Sequence, residues 1–221
     1  MNSQIDFEQA RFNMIEQQIR PWEVLDTDVL DLLQEIHRED FVSDEHRGLA
    51  LADLNIPLKH DQVMMTPKME ARLVQSLQIR DSESVLEVGT GSGYLTALMS
   101  RFARHVETID IYGDFVAEAE TRLKSYGIDN VELGEADFLG DWQFKTRYDL
   151  IVLTGSLPTL DSSIQENLSI GGRLFVVVGE APVMEALLIK RIGESDYATE
   201  VVLETEIPVL VGANAPSSFE L

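Results

Sequence analysis

Read for where apolar side chains recur, the chain changes rhythm twice. Residues 7–20 and 24–37 carry a helical period, the second through Val29, Leu32, Leu33 and Ile36 with Asp31, Gln34 and Glu35 between them, and Pro21 separates the two. From Phe41 to Met65 the period dissolves, and Asn55-Ile56-Pro57 forces extended backbone ahead of the proline. Pro67 then suits the first position of a helix reaching Leu77. Beyond residue 80, short apolar runs alternate with helical stretches, the signature of a parallel sheet with crossover helices. Strands are predicted at Val85–Val88, Val106–Ile111, Val131–Gly134 and Tyr148–Leu153, the last apolar enough to be buried on both faces. Helices are predicted near Ser92–Ala103, Phe115–Tyr126 and Ser162–Leu168, and a Gly171-Gly172 turn opens a strand at Leu174–Val178. Residues 183–192 and 199–210 fit either two more strands or a helix and a strand, and Asn214–Leu221 reads as a loose end. The fold class is therefore α/β, a doubly wound, mostly parallel Rossmann-like sheet under an N-terminal helical cap. One domain is expected, with 1–80 as cap and active-site segment, 81–180 as cofactor-binding core and 181–221 as C-terminal strands and tail.

Composition narrows the partners. The 221 residues are 44% hydrophobic and hold no apolar run near the roughly 18 residues of a membrane span, so the chain is expected to fold in water. Its first residues lack a basic start and an apolar stretch, which makes the cytoplasm the expected setting. A net charge of −22 repels nucleic acid and anionic membranes. Zero cysteines exclude disulfides, thiolate metal sites and a cysteine nucleophile. His37, His46, His60 and His105 lie far apart without a metal-ligand spacing, so no metal is expected.

The chemistry gathers at Gly89-Thr90-Gly91-Ser92-Gly93, between a buried strand and a helix. Missing side chains there let backbone N–H groups approach a nucleotide-like ligand. A dinucleotide fingerprint spaces its glycines G-x-G-x-x-G, whereas here the third glycine comes one place early. Asp110, at the end of the next strand with Ile111 beside it, stands where an acidic side chain accepts from both ribose hydroxyls. Glu87 would crowd a pyrophosphate but suits a cofactor carrying an ammonium and a sulfonium, which favours S-adenosylmethionine. Asp137 offers an acceptor to an adenine amino group, and Phe138 is either a face for the ring or ordinary core. Ser92 lacks the G-x-S-x-G setting of a nucleophile, and Trp142 reads as a packing residue.

These residues resemble a known family, the class I methyltransferases and within them the protein-L-isoaspartate O-methyltransferases, over roughly residues 9–180. Arg11–Gln18 looks like that family's opening helix, Arg38-Glu39-Asp40-Phe41-Val42 like its RE-x-FV segment, and Asp53 through Pro57-Leu58 like its approach to the active site. Val85–Tyr94 matches its VLEIGTGSGY loop, and Tyr148–Thr154 is similar to its FD-x-I-x-VT. Asp137–Trp142 resembles GDG-x-x-GW, with Ala136 and Phe138 replacing two glycines. The resemblance implies methyl transfer from S-adenosylmethionine to the carboxylate of isoaspartyl residues in damaged proteins, with a protein or peptide as partner. One segment departs: where the family has GQTISQP this chain has Asp61–Pro67, so the family's active-site serine falls on Met65 and its threonine on Val63. Thr66 is a possible substitute, although neighbours on an extended segment point to opposite sides. Met64 and Met65 are either core or a pocket for a less polar, small-molecule or protein acceptor, and Lys59, His60 and Lys68 are the nearby cations. A non-catalytic S-adenosylmethionine-binding protein and, more remotely, a dehydrogenase stay open.

Overall fold

The computed structural model describes residues 5–140 and 142–213, so the expected loose end at Asn214–Leu221 lies outside the described residues. The chain opens with α1 (Phe7–Met14), whose N-cap Asp6 accepts from Gln9 N–H. The helix predicted to residue 20 changes character: Ile15–Ile19 is a π turn and Arg20–Trp22 a 3-10 turn. Pro21 has no N–H to continue the ladder and its ring crowds the preceding turn. The turn widens accordingly, and Arg20 N–H reaches Ile15 O. Helix α2 (Thr27–Glu35) starts later than its apolar period because the Asp26 side chain accepts from Asp28 and Val29 N–H and sets the boundary.

The irregular stretch contains a small hairpin, β1 (Ile56–Pro57) with β2 (Val63–Met64). Positive φ at His60 and Asp61 turns it, and Leu58 and Gln62 close it through their backbones. Then follow α3 (Pro67–Leu77), β3 (Ser84–Val88), α4 (Tyr94–Ser100), β4 (His105–Asp110), α5 (Gly113–Ser125), β5 (Val131–Glu135), β6 (Tyr148–Leu157), α6 (Ser162–Glu166), β7 (Leu168–Glu180), β8 (Val183–Arg191) and β9 (Tyr197–Glu204).

One seven-stranded sheet runs β5-β4-β3-β6-β7-β8-β9; β5 through β7 are parallel, and β8 and β9 are antiparallel. The tail thus resolves into two strands. Gly171-Gly172 does not precede a strand but lies inside β7, where the register against β6 slips between Tyr148 and Leu150. Gly171 takes φ +87 there, and a Cβ on Gly172 would stand 2.9 Å from Asp149 O, so the pair forms a bulge. The predicted strand 199–210 ends at Glu204. Pro208 cannot donate to a ladder, and the segment around it folds back onto β6 through Ser156 N to Pro208 O (2.9 Å) and Leu210 N to Ser156 O (2.9 Å).

Side chains alternate across the sheet into two apolar layers. Val85, Leu150, Val152, Phe175 and Val177 join the layer shared with the cap, while Leu86, Ile151, Leu153, Leu174 and Val176 face the other way. The cap is tied to the base of the sheet by buried Arg173 on β7. Its guanidinium donates to Leu77 O (2.6 Å), Gln78 O (3.0 Å) and both oxygens of Glu83 (2.9 and 2.8 Å). Among the described residues, no helix is long and apolar enough to cross a membrane.

Candidate cofactor and acceptor site

The chain leaves β3 for β4 and β5 on one side and then returns to β6 on the other. A crevice opens where strand order reverses, beyond the carboxyl ends of the strands. It is lined by residues of the cap, the carboxyl ends of the strands and the segment after β9.

The glycine loop forms its floor. Gly89 and Gly93 have φ of +96 and +82, and a Cβ there would stand 2.1 Å from Thr154 Oγ1 and 2.8 Å from Ala119 Cβ. Both glycines therefore serve close packing as well as backbone shape. Gly91 has φ +50, yet a Cβ on it would meet only Leu58 Cδ1 at 3.5 Å, so this position fronts the cleft. Gly91 N–H donates to Asp110 Oδ2 (2.9 Å) and Tyr112 N–H to Oδ1 (3.0 Å), which orients the carboxylate at the tip of β4. Burial raises the pKa of Asp110 even against these two bonds.

Glu87 is fully buried below the loop and lines the cleft. Its Oε2 accepts from Thr96 and from Thr108 (2.7 Å). Because Thr108 spends its only proton there, Thr90 must donate to Thr108 across their 2.7 Å contact. The Thr90 hydroxyl is thus turned into the sheet. Ser92 likewise uses its hydroxyl locally, accepting from Tyr94 N–H at 3.2 Å. Glu87 Oε1 is buried with no hydrogen-bond partner, and burial pushes this carboxyl up to about 8. An unpartnered buried carboxylate oxygen beside a glycine cradle fits a cofactor that carries a positive group. Among the described residues, no cluster suits a metal ion.

The far wall carries Ile111, Tyr112, Phe115, Ala136, Asp137 and Phe138. Asp137 Oδ1 accepts from Leu139 (3.1 Å) and Gly140 (3.0 Å) N–H, holding the turn after β5. Phe138 lines the cleft and packs on Trp142 and Phe144, with centroids 5.4 and 5.8 Å away.

A segment of the cap completes the cleft. Val63, Met64 and Met65 line the cleft together with Leu58 and Gln62. Thr66 sits elsewhere: its hydroxyl caps α3, accepting from Met69 N–H at 3.4 Å, and it is not among the lining residues. The nearby cations are all engaged. Lys59 pairs with Glu118 (2.6 Å) and Asp114 (3.4 Å), His60 meets Asp114 (3.0 Å) while stacking on Tyr112, and Lys68 pairs with Asp53 (2.7 Å). Among the described residues, the side chains lining the cleft include Glu70, Glu87, Asp110 and Asp137 but no lysine, arginine or histidine.

Several lining residues had not been singled out for the site. Thr154 ends the apolar run of β6, and its hydroxyl donates to Val88 O and Gly89 O, both 2.9 Å away. Ile207, Pro208, Leu210 and Val211 close one side after the fold-back that Pro208 signals. Glu70 lies on the apolar stripe of α3 with Leu73, Val74 and Leu77. A charge in such a stripe demands a partner, and Arg38 supplies it at 2.9 Å. Burial holds Glu70 up at about 7 despite that pairing.

Comparison with known proteins gives this cleft a lineage. A protein-L-isoaspartate O-methyltransferase 2 from Pelobacter propionicus is 34% identical over 207 residues, 93% of this chain and 92% of that protein. A protein-L-isoaspartate O-methyltransferase from Rhodopseudomonas palustris is 32% identical, covering 90% of this chain and 92% of its own. The fold agrees with a Plasmodium falciparum protein described as a protein-L-isoaspartate O-methyltransferase and solved with S-adenosyl-L-homocysteine. The TM-score is 0.76 at 17% identity, over 94% of this chain and 99% of that one. The family model for protein-L-isoaspartate(D-aspartate) O-methyltransferase matches residues 9–212, and the chain belongs to that family.

Proposed function

We propose that this protein transfers a methyl group from S-adenosylmethionine to the carboxylate of isoaspartyl residues in damaged proteins or peptides, working in the cytoplasm, with neither nucleic acid nor membrane as partner. The observation that carries the reading is the buried, half-satisfied Glu87 beneath the glycine loop, in a chain of this family. Glu87 would face the cofactor's ammonium end, and Gly89, Thr90, Gly91, Ser92 and Gly93 would shape the floor. Asp110 and Ile111 would take the ribose side, Asp137 and Phe138 the adenine. Residues 1–80 would act as cap and acceptor segment, 81–180 as cofactor core, and 181–221 as the strands and tail of the same domain.

When bound, the cofactor supplies an electrophilic methyl on a positively charged sulfur. The protein's own task is then mainly geometric. A carboxylate acceptor with a reference pKa of about 4 is ionised at neutral pH and needs no general base. Alignment of the reacting atoms can supply roughly 7–11 kcal/mol in well-oriented cases. Apolar walls at Val63, Met64, Met65 and Leu210 exclude water but offer the acceptor no side-chain hydroxyl.

A second reading follows from that wall. With methionine at the family's serine position and no cation lining the cleft among the described residues, a less polar acceptor would be desolvated at lower cost than a carboxylate. Transfer of labelled methyl to an isoaspartyl peptide, by the protein and by its Met65→Ser variant, separates the readings. Transfer by the unmodified protein supports isoaspartyl methylation. Transfer by the variant alone assigns the natural acceptor to another class. No transfer by either, with cofactor still bound, leaves a binding protein or a different acceptor.

A further inference from the structure

Met65 stands in a gap between regular elements. Strand β2 ends at Met64 and α3 begins at Pro67, so neither a β-ladder nor a helix fixes the residue in the acceptor wall. Its carbonyl is held by Arg38, whose Nη2 donates to Met65 O. The same guanidinium donates through Nη1 to Ala50 O and through Nε to Glu70 at 2.9 Å. All three nitrogens are used, and Arg38 is only 1% exposed. Its partners come from three separate pieces: the cap loop, the acceptor segment and α3. The guanidinium also lies 5.7 Å from the ring centroid of Tyr94, the first residue of the helix that follows the glycine loop. A rigid planar fork with fixed donor directions sets the distances between its partners, which a flexible ammonium does not.

We propose that Arg38 is a positioning residue for methyl transfer, setting where Met65 and the acceptor segment stand relative to the cofactor floor. This rests on the reading that Val63–Met65 faces the acceptor. Arg38 touches no reacting atom; it acts through the Met65 backbone. Its neighbour Glu39 turns the other way and pairs with buried Arg11 on α1, so one short turn serves both the acceptor segment and the first helix.

The test compares the full-length protein with Arg38→Lys and Arg38→Met. Four measurements are needed: unfolding midpoint, S-adenosylhomocysteine affinity by calorimetry, backbone amide exchange, and kcat and KM for an isoaspartyl peptide corrected for folded fraction. Both variants are expected to bind S-adenosylhomocysteine within about twofold of the parent and to exchange faster at residues 62–66 but not at 89–93. Their kcat should fall by about tenfold to a hundredfold, the scale of a small misplacement of the acceptor. Lysine keeps the charge but is not expected to restore kcat. Unchanged exchange at 62–66, parallel loss of cofactor affinity and transfer, full rescue by lysine, or failure of both variants to fold would each overturn the proposal and make Arg38 an ordinary core ion. If the unmodified protein does not methylate the peptide, the isoaspartyl reading fails, and exchange at 62–66 still decides the role of Arg38.

Discussion

Replacing Glu87 with glutamine should flatten the pH dependence of stability in the cofactor-free protein. The sheet closes over this carboxyl so completely that it keeps its proton up to about pH 8, against 4.5 for an ordinary glutamate. Between those values the native state holds a proton that the unfolded chain has released. The associated stability is therefore complete below about pH 4.5 and is lost as pH climbs through about 8. At about 1.4 kcal/mol per pH unit over the 3.5 units between 4.5 and 8, the loss reaches on the order of 5 kcal/mol once pH 8 is passed. Glutamine keeps an oxygen for Thr96 and Thr108 and puts an uncharged amide where Oε1 stands. Urea unfolding from pH 5 to 9 is the assay: the parent should weaken by several kcal/mol toward pH 9, and Glu87→Gln should lose most of that slope. A remaining slope between about pH 4.5 and 7, levelling off above that, is assigned to Glu70, raised by burial to about 7. The same variant should bind S-adenosylhomocysteine more weakly at pH 8 and above, where the parent's carboxylate is ionised. A parent whose stability does not fall with pH, or a variant with the parent's full slope, would refute the burial argument.

Other outcomes follow from the same geometry. Gly93→Ala places a Cβ 2.8 Å from Ala119 Cβ at φ +82; it should cost about 2–5 kcal/mol in urea unfolding, the sum of left-handed strain and overpacking. Gly91→Ala meets only Leu58, so it should cost about 1–2 kcal/mol from its left-handed backbone while weakening cofactor binding in calorimetry more than Gly93→Ala does in its folded fraction. Met65→Ser should raise kcat/KM for an isoaspartyl peptide by about tenfold, the worth of one hydrogen bond to a charged group; a decrease would mean the wall is matched to an apolar acceptor. Arg173→Leu, which strips Glu83 of its partner and uncaps Leu77 and Gln78, should cost about 3 kcal/mol at neutral pH. Arg173 helps hold Glu83 below the usual glutamate range, and that stabilisation is lost as pH falls, so the variant's deficit should shrink in acid.

The parts of this molecule written in sequence are those where one local rule dominates. Helix α3 runs from Pro67 to Leu77 as its proline and apolar stripe predict, and β3, β4 and β5 match their apolar runs to within a residue. The glycine loop at the floor of the cleft was legible for the same reason, since a strand, alternating glycines and a helix are contiguous. Long-range choices were not. Nothing local in Gly171-Gly172 distinguishes a turn from a bulge, because the slip is defined only by the neighbouring strand. The hydroxyl of Thr90 looks free in sequence, yet it is committed to Thr108, eighteen positions away. Glu70, not singled out from the sequence, is a charge in an apolar stripe whose partner Arg38 lies 32 residues earlier. Thr66 was read by its neighbour Met65, whereas its position before Pro67 made it a helix cap.

Two walls of the cleft, Val63–Met65 and the folded-back stretch Ile207–Val211, belong to no strand of the main sheet. They are also widely separated in the chain. On the proposed reading that these walls meet the acceptor, substitutions in either remodel what is methylated while the glycine floor, built on the sheet, is left unaltered. Substrate choice and cofactor use are thus separable inheritances, and exchanging these two stretches between relatives should transplant acceptor preference on an unchanged framework.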